Sequence, residues 1–574
     1  MKLISFSVKN YKVFHDMFSV NFRTDSIAIL TGRNNTGKST FLEAINCFFM
    51  NESKQKTIPI NCFHNQNDNI MMIATFEREK ENTESDITTK QVEIITIKKE
   101  YTLNTAPKYF MDEKPLTNKS EIVNWIHSNP PYYITPYMTI DDINKQVQTI
   151  YQAAMENDLL KISKGELDDT AELSKHYRNL IQSLPSFVKK LKEDTDASLS
   201  IINDKASANL KKLFANPDLS IEVVGAEGNT FTYKDILKYT DSNVLIHNKN
   251  RAMYLQDQGT GLQRMSLIFL IQNMIQENLL GNIDNKLLLI DEPEAFLHPE
   301  AIRGLSDALY KIGAEMPLIV STHSPILINL SEKHTSLQIF RIQSNEAIEL
   351  YTSDKEKFDE DDIKNMKILN YVDSFVNEFF FADNIIVVEG DTEYIALKTL
   401  MKTREESNYH VIRARGKDTI VTLMKILNQF KSTYTVIHDV DNDKDTLTKL
   451  KTQLTKCKNI THQKNISKEA PQIKIIASLA NFEKALGMNN ISNNKKTMNI
   501  FTIITENLPE HDQAREHLHN LFDNINNHEI ELTGNFRIIE SSSDYEEFFK
   551  EQINSLSATN FHIINMGINS FFSQ

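Results

Sequence analysis

The sequence predicts an α/β protein of at least two domains. Its 574 residues exceed the roughly 250–300 residues at which a single hydrophobic core stops growing, so more than one core is expected. Two separate stretches, about 27–345 and 385–440, alternate apolar strand-like runs with helical periodicity. Such alternation is typical of parallel sheets flanked by helices.

Net charge and basic runs restrict the functional class. The formal charge of −14 argues against a general polyanion binder, because phosphate backbones attract clustered Lys and Arg. A metal-binding site, however, must gather carboxylates, and bound cations then reverse the local field. Candidate phosphate-binding patches are Lys189, Lys190 and Lys192, and Lys211 with Lys212, although such runs are more often solvated helix faces.

Cysteine content and hydropathy indicate the compartment. Cys47, Cys62 and Cys457 show neither metal-ligand spacing nor an even disulfide framework, which favours free thiols in a reducing environment. The segment Met1–Val13 lacks the unbroken apolar run of a signal peptide, and no apolar run is long enough to span a bilayer. We therefore expect a cytoplasmic protein without membrane association.

A glycine-rich loop follows the strand-like run that ends at Thr31. The segment Gly32-Arg33-Asn34-Asn35-Thr36-Gly37-Lys38-Ser39 fits G-x-x-x-x-G-K-[ST], and helical periodicity follows it. The backbone N–H groups of such a loop wrap phosphates, its lysine neutralises the β and γ groups, and its serine ligates Mg²⁺. The sequence therefore predicts an ATP site formed by Gly32, Asn35, Gly37, Lys38, Ser39 and Thr40.

A second apolar strand, Leu287–Ile290, delivers two carboxylates at its end, Asp291 and Glu292. Parallel strand ends meet at one edge of a sheet, so we expect these carboxylates beside the glycine loop. Asp291 would hold the Mg²⁺ ion and Glu292 would polarise the attacking water. Together the two motifs predict ATP hydrolysis as well as binding.

Three further segments resemble motifs of the ABC superfamily of ATPases. The run Gly259-Thr260-Gly261-Leu262-Gln263-Arg264 resembles the signature motif, the run 294–298 resembles the D-loop, and Ser321-Thr322-His323 resembles the switch-histidine segment. The resemblance implies that His323 senses the γ-phosphate and that Gly261 completes the ATP site of another protomer. A homodimer or a higher even-numbered oligomer is therefore expected.

The expected ATPase domain spans 1–350, with a helical insertion at about 135–240. A coiled-coil arm needs uninterrupted heptads, and Pro185 and Pro217 interrupt this stretch. We therefore predict a compact helical insertion and assign it to dimerisation. A charged linker at 351–380 follows, and the second α/β domain is expected at 381–500, with a helical extension at 501–574.

The second domain repeats the pattern of a strand that ends in carboxylates. Ile385–Val388 leads into Glu389-Gly390-Asp391-Thr392-Glu393, and Thr435–His438 leads into Asp439-Val440-Asp441. Alternating side chains place the two acids of D-x-D on one side of an extended chain. Because several carboxylates at one sheet edge repel unless cations separate them, the pattern predicts Mg²⁺ or Mn²⁺ and phosphoryl chemistry.

The Glu-Gly pair and the D-x-D pair resemble the Toprim domain of topoisomerases, primases and nucleases. A P-loop ATPase followed by Toprim resembles the OLD (overcoming lysogenisation defect) family of endonucleases, which includes Gabija-type and retron-associated nucleases of phage defence. The resemblance implies a metal-dependent endonuclease that cuts DNA, rather than RNA, under nucleotide control. It also implies a defence-system partner, either a protein or an RNA or DNA element.

The same resemblance implies a set of site residues. Two metal ions would be ligated by Glu389, Glu393, Asp439, Asp441 and Glu483. Family members add a lysine from the C-terminal region, which corresponds to Lys495 or Lys496 here; we assign Lys496.

Other uses of this domain pair fit the sequence less well. A topoisomerase needs a tyrosine nucleophile on a separate domain, and a primase needs a zinc module. A nucleotide-switch scaffold with an inactive or RNA-directed Toprim domain stays open, although an inactive site would be free to lose Glu389, Asp439 and Asp441.

Overall fold

The structure is a computed structural model. It describes residues 2–22, 27–52, 58–84, 87–117, 120–138, 142, 147–148, 170–225, 242–249, 251–277, 286–330, 337–343, 346–352, 359–372, 376–406, 408–429, 433–466, 473–488, 496–506, 509–527 and 529–559. Lys495 and much of the predicted insertion lie outside these ranges. No helix of the described residues is both long and apolar enough to cross a membrane.

The chain divides into two compact units, 1–329 with 335–347, and 348–574 with 330–334. The division falls close to residue 350, where the sequence predicts the end of the ATPase domain.

The first unit contains fifteen named strands and five named helices among the described residues, counting β15, which begins in this unit and continues past residue 347. The strands are β1 Lys2–Lys9, β2 Phe18–Asn21, β3 Ile27–Thr31, β4 Ile70–Glu84, β5 Ile87–Tyr101, β6 Lys108–Met111, β7 Lys114–Leu116, β8 Tyr132–Ile134, β9 Leu219–Gly225, β10 Ser242–Asn248, β11 Arg251–Tyr254, β12 Leu288–Asp291, β13 Leu318–Ser321, β14 Leu337–Gln343 and β15 Glu346–Thr352. The helices are α1 Lys38–Phe49, α2 Glu121–Ser128, α3 Thr170–Leu213, α4 Thr260–Gln276 and α5 Pro299–Gly313.

The sheet that carries the nucleotide motifs has the order β15-β14-β3-β13-β12-β8. Strands β14, β3, β13, β12 and β8 run parallel, with Val320 of β13 opposite Ile29 of β3 and Ile290 of β12. Every residue of β3, β12 and β13 is buried, which explains their continuous apolar sequences. The parallel register brings the end of β3, where the glycine loop begins, beside the end of β12, where Asp291 lies.

A second, antiparallel sheet of the order β2-β1-β4-β5-β6-β7 packs onto α1. Lys99 of β5 reaches from this sheet to the C-terminal end of α1, where it donates to the carbonyls of Cys47, Phe48 and Met50 and pairs with Glu52. A cation there satisfies carbonyls that have no partner within the helix. Burial lowers the pKa of Lys99 to about 8.

Helix α3 corrects the prediction of a compact insertion broken at Pro185. It runs without interruption for 44 residues and includes Pro185, while Pro217 lies beyond its end. A proline removes one helical hydrogen bond at a cost of about 3 kcal/mol, which packing elsewhere can offset. The C-terminal half of the helix packs on α4 and β9 through a buried stripe, formed by Leu199, Ile202, Ala206 and Leu210.

The second unit contains five named strands and eight named helices among the described residues. In chain order they are α6 Glu360–Val372, β16 Ile385–Val388, α7 Asp391–Thr403, β17 His410–Arg413, α8 Lys417–Leu427, β18 Tyr434–Asp439, α9 Leu447–Ile466, β19 Ile473–Ser478, α10 Phe482–Ala485, α11 Lys496–Thr505, α12 Asp512–Asn526, β20 Phe536–Ile538 and α13 Ser542–Thr559.

The sheet of this unit has the order β17-β16-β18-β19-β20. The first four strands are parallel, and β20 joins antiparallel to β19. Residues beyond 500 therefore complete the sheet and do not only extend it. Further along, α13 packs on α9, and Tyr545 shares a buried hydrogen bond of 2.8 Å with His438 of β18.

Candidate nucleotide and metal sites

The glycine loop depends on two backbone conformations that favour glycine. Gly32 has φ +139° and Gly37 has φ +107°, both in the region that L side chains rarely adopt. A Cβ at Gly32 would lie 2.5 Å from the carbonyl oxygen of Ile342, and one at Gly37 would lie 2.7 Å from the Phe14 ring. Any side chain at either position would therefore force the loop out of its shape.

Lys38 opens α1 and turns back into the loop. Its Nζ donates to the carbonyls of Gly32 at 3.1 Å and Arg33 at 2.9 Å, and the residue is 4% exposed. Burial lowers its pKa, while the carboxylates of Glu292 and Asp291 oppose that shift. The lysine is thus held at the centre of the loop.

Ser39 and Asp291, which the sequence assigns to one Mg²⁺ ion, lie in contact. The Ser39 hydroxyl donates to Oδ1 of Asp291 at 2.9 Å, and the Ser321 hydroxyl donates to the same oxygen. Burial raises the pKa of Asp291, and these two hydrogen bonds oppose the rise. Of the remaining predicted loop residues, Asn35 is exposed with φ +64° and Thr40 is half-buried.

Glu292 and His323 lie opposite each other at the ends of β12 and β13. Nε2 of His323 is 3.8 Å from Oε1 of Glu292, and burial together with Lys38 lowers the histidine pKa. The histidine segment is fixed by Glu294, whose Oε1 accepts from the Thr322 hydroxyl and from the backbone N–H of His323, both at 2.7 Å. The geometry therefore places a carboxylate and an imidazole of lowered pKa at the ends of neighbouring strands, near Lys38.

Gly261 lies in the first turn of α4. A Cβ there would be 3.0 Å from the backbone oxygen of Phe296 and from the Leu297 side chain, whereas a Cβ on Gly259 would meet nothing within 4 Å. Gly261 thus packs against the D-loop-like segment of its own chain.

Arg264, the last residue of the signature-like run, has a role at this site that the motif patterns do not reveal. It is 2% exposed, and its guanidinium donates to the carbonyl oxygens of Asp291, Glu292 and Ala295. The one available signal in the sequence is a charged residue within the otherwise apolar pattern of α4. Arg264 ties the start of α4 to the end of the strand that carries both carboxylates.

In the second unit, the paired register of β16 and β18 brings their carboxylates together. Val388 lies opposite Ile437, and just beyond this pair the backbone N–H of Asp439 donates to Oε2 of Glu389 at 3.0 Å. Glu393, in the first turn of α7, is buried. Its neighbour Thr392 donates to Oε1 of Glu483 at 3.1 Å, which places Glu483 beside Glu393.

The electrostatics of this carboxylate cluster favour the binding of a cation. Burial raises the pKa of Asp439 well above its usual value, and the charges of Glu393 and Glu389 add to the rise. Burial and the neighbouring carboxylates raise the pKa of Glu393 to about 7. Oδ1 of Asp439 is buried and has no hydrogen-bond partner among the described residues. Carboxylate oxygens are the ligands that hard divalent cations prefer, so the chemistry of these donors suits a divalent metal ion.

Lys417 was not among the predicted site residues, yet it lies in the middle of the site. It begins α8, which follows the end of β17, a third strand end on the same sheet edge. Its Nζ donates to Oδ2 of Asp441 at 2.6 Å, to Gln453 at 3.1 Å and to Oε1 of Glu389 at 3.3 Å. Although burial acts in the opposite direction, this lysine lowers the pKa of Asp441.

The carboxylates of the described residues do not surround a common point as the ligands of one metal ion would. No group of three or more His, Cys, Asp or Glu residues within the described ranges has the geometry to hold a metal ion. Lysine ammonium groups stand between some of them: Lys417 and Lys444 both contact Asp441, and Lys496 contacts Oε2 of Glu483 at 3.1 Å. Lys496, the assigned C-terminal lysine, thus lies at the cluster.

Comparisons with known proteins agree with this arrangement. Residues 1–328 match the family described as AAA ATPase domain, and residues 380–441 match the family described as overcoming lysogenization defect protein-like, TOPRIM domain. The predicted α/β fold, a P-loop ATPase domain followed by a Toprim domain, is confirmed. The two domains imply use of a nucleotide and a divalent metal.

Three curated relatives of this chain are named as nucleases or endonucleases. The chain is 24% identical over 274 residues to the Old nuclease of Escherichia phage P2, which covers 46% of either protein. It is 26% identical over 165 residues to the OLD nuclease of Thermus scotoductus, covering 27% of this chain and 30% of the relative. It is 22% identical over 428 residues to Endonuclease GajA of Bacillus cereus strain VD045, covering 70% and 68%.

The chain thus spans less than half the length of the first two of these relatives. The ATPase match, by contrast, covers more than half of the chain itself. The chain therefore belongs to the AAA ATPase domain family, and a segment similar to the OLD-like Toprim domain follows its ATPase domain.

Proposed function

We propose that this protein is a metal-dependent endonuclease that cuts DNA under the control of ATP binding and hydrolysis, in defence against phage. The observation that carries the proposal is the buried Oδ1 of Asp439, which lies beside Glu389 and Glu393 and has no hydrogen-bond partner within the described part of the chain. A buried carboxylate oxygen without a partner is costly, and a divalent cation offsets that cost. The names of the relatives support nuclease chemistry at this site.

Mg²⁺ or Mn²⁺ fits the oxygen-only donor set. Asp439, Glu393 and Glu389 would hold the ion, with Glu483 adjacent to them. When bound, a divalent ion neutralises charge on the scissile phosphate and generates a nucleophile from water at neutral pH. Lys496, whose Nζ lies 3.1 Å from Oε2 of Glu483, would neutralise a further phosphate oxygen.

The nucleotide site would act as the control element. Lys38 and the backbone N–H groups of its loop bind the phosphates, and Ser39 with Asp291 binds the accompanying Mg²⁺. Glu292 orients the attacking water, and His323, 3.8 Å away, responds to the γ-phosphate. ATP binding and cleavage are coupled if both sites bias one shared conformation.

The site is proposed to be shared between protomers. Gly259 and Gly261 are placed at the start of α4, and by resemblance this segment completes the ATP site of a second copy. A homodimer or a higher even-numbered oligomer follows. The defence context further implies a partner protein or an RNA or DNA element that triggers cleavage.

The test is nicking of supercoiled plasmid by the purified protein with Mg²⁺ or Mn²⁺, followed on agarose gels. Cleavage is expected with metal and is lost with chelator, and Asp439→Ala and Glu389→Ala are expected to abolish it while ATP turnover continues. The matched control is Asp443→Ala, because Asp443 is exposed and pairs with Lys484, so that variant keeps wild-type cleavage.

Parallel reactions on single-stranded DNA, branched DNA and RNA define the substrate class. Wild-type cleavage rates in Asp439→Ala would show that the metal site is misassigned. Absence of cleavage of any nucleic acid by the wild type, with ATP turnover intact, would favour the nucleotide-switch scaffold instead.

A further inference from the structure

Lys417 is a buried cation enclosed by the proposed metal ligands. The residue is 4% exposed, and each of its three hydrogen bonds ends on a side-chain oxygen, from Asp441, Glu389 or Gln453. A lysine is seldom fully buried unless it is paired. Here two carboxylates from different strand ends pair with one ammonium, which is the arrangement of a cation shared between ligands.

The carboxylate oxygens fall into two groups. Both oxygens of Asp441 accept from lysines, Oδ2 from Lys417 and Oδ1 from Lys444. Both oxygens of Glu389 are also engaged, Oε1 by Lys417 and Oε2 by the backbone N–H of Asp439. On the other side, Oδ1 of Asp439 has no partner among the described residues. The demand for a further cation is therefore concentrated at Asp439, away from Asp441.

The formal charges point the same way. Five carboxylates and three lysines make up the cluster: Glu389, Glu393, Asp439, Asp441, Glu483, Lys417, Lys444 and Lys496. Their net formal charge of about −2 is balanced by one divalent ion, whereas two such ions would leave an excess of positive charge in a poorly solvated site.

We propose that the Lys417 ammonium permanently occupies the cation position between Glu389 and Asp441, so that the site holds one divalent ion per chain, centred on Asp439 and Glu393, and not two. This inference rests on the metal-dependent function proposed above. In it, Asp441 is a ligand of Lys417 and not of the metal. Lys417 is thus a positioning residue that replaces a second metal ion.

The test counts bound Mn²⁺ in the full-length protein without nucleotide. Equilibrium dialysis gives the number of ions per chain, and the difference between wild type and Asp439→Asn isolates this site from any other. We expect the wild type to bind one ion more than Asp439→Asn and to give the six-line electron paramagnetic resonance spectrum of isolated Mn²⁺. Lys417→Gln is expected to bind one ion more than the wild type and to give the spectrum of a spin-coupled pair, since paired sites lie about 4 Å apart.

Two further variants separate charge from folding. Lys417→Arg keeps the cation and is expected to bind one ion. Lys425→Gln is the matched control, because Lys425 lies on the same helix and pairs with Asp359 and Asp362 outside the cluster; it is also expected to bind one ion. If Lys417→Gln does not fold, the number of Mn²⁺ ions bound by the wild type still decides between a one-ion site and a two-ion site.

The outcomes distinguish this inference from the proposed function. A spin-coupled pair of ions in the wild type would overturn the single-ion site while leaving a metal-dependent nuclease intact. One ion in both the wild type and a folded Lys417→Gln would overturn the role of Lys417. Equal binding by the wild type and Asp439→Asn would remove the metal site itself, and with it both proposals.

Discussion

Replacement of Arg264 by methionine tests whether hydrogen bonds from α4 hold the backbone of the ATPase carboxylates Asp291 and Glu292 in place. Methionine keeps much of the volume but removes the hydrogen bonds to the carbonyls of Asp291, Glu292 and Ala295. A buried carbonyl left without its donor costs roughly 1–3 kcal/mol. The substitution also removes the free-energy cost of burying the guanidinium, whose pKa is lowered by that burial. This gain offsets part of the loss. The net expectation is a destabilisation of about 3 kcal/mol.

The chain offers a selective probe for this measurement. Trp125 is its one tryptophan, and its ring packs edge-on against Phe76 with centroids 5.6 Å apart, in the first unit. Its fluorescence therefore follows unfolding of the ATPase domain alone. For a domain of this size the destabilisation corresponds to a melting temperature lower by about 4 °C. The matched control is Arg303→Met, because Arg303 is exposed on α5.

ATP hydrolysis gives the second measurement on the same variants. Since Arg264 holds the backbone of Asp291 and Glu292 and not the glycine loop, kcat is expected to fall at least tenfold while KM for ATP changes little. An Arg264→Met protein with the melting temperature and kcat of the wild type would refute the coupling. A loss of ATP affinity with unchanged kcat would place its effect at the glycine loop instead.

Three further predictions concern the ATPase domain. Lys38→Ala is expected to lose ATP binding, whereas Glu292→Gln keeps the affinity of the wild type but hydrolyses slowly; fluorescent-nucleotide titration decides, and equal affinity in Lys38→Ala and wild type would contradict the site. Mixing Lys38→Ala with Gly259→Asp, each inactive alone, is expected to restore about a quarter of the ATPase activity by random pairing in a dimer; no recovery despite demonstrated subunit exchange would count against a composite site. The pKa of Lys99, about 8 in the folded state against 10.5 ordinarily, means that the unfolded chain binds more protons between these values. The free energy of unfolding should therefore rise with pH between about 8 and 10.5, by up to about 1.4 kcal/mol per pH unit, relative to that of Lys99→Met. If the free energies of unfolding of the two proteins, followed by Trp125 fluorescence, change in parallel with pH, the prediction is disproved.

Local patterns predicted the parts of the sites that are contiguous in sequence. The glycine loop and the carboxylates at strand ends follow from short motifs, because the strand, turn and helix that present them are adjacent along the chain. The structure places Ser39 against Asp291, 252 residues away, because parallel strand ends meet at one edge. The predicted roles of these residues stay predictions until the variants are measured.

Residues whose partners are distant in sequence were missed. Lys417 follows a strand end, but nothing local shows that its ammonium reaches both Glu389 and Asp441. Arg264 likewise looks like one charge on an apolar helix until its carbonyl acceptors are known. The continuity of α3 through Pro185 was mispredicted because local propensity is overridden by packing along the rest of the helix.

The strand β20 has a consequence for how the Toprim domain can be inherited or dissected. A protein cut at residue 500 would lose β20 and the Tyr545 partner of His438, and would leave β19 as an open sheet edge, a template for pairing with other chains. We therefore expect such a fragment to aggregate. Recombination that transfers the Toprim motifs alone would fail for the same reason, so the smallest heritable Toprim module extends through α13.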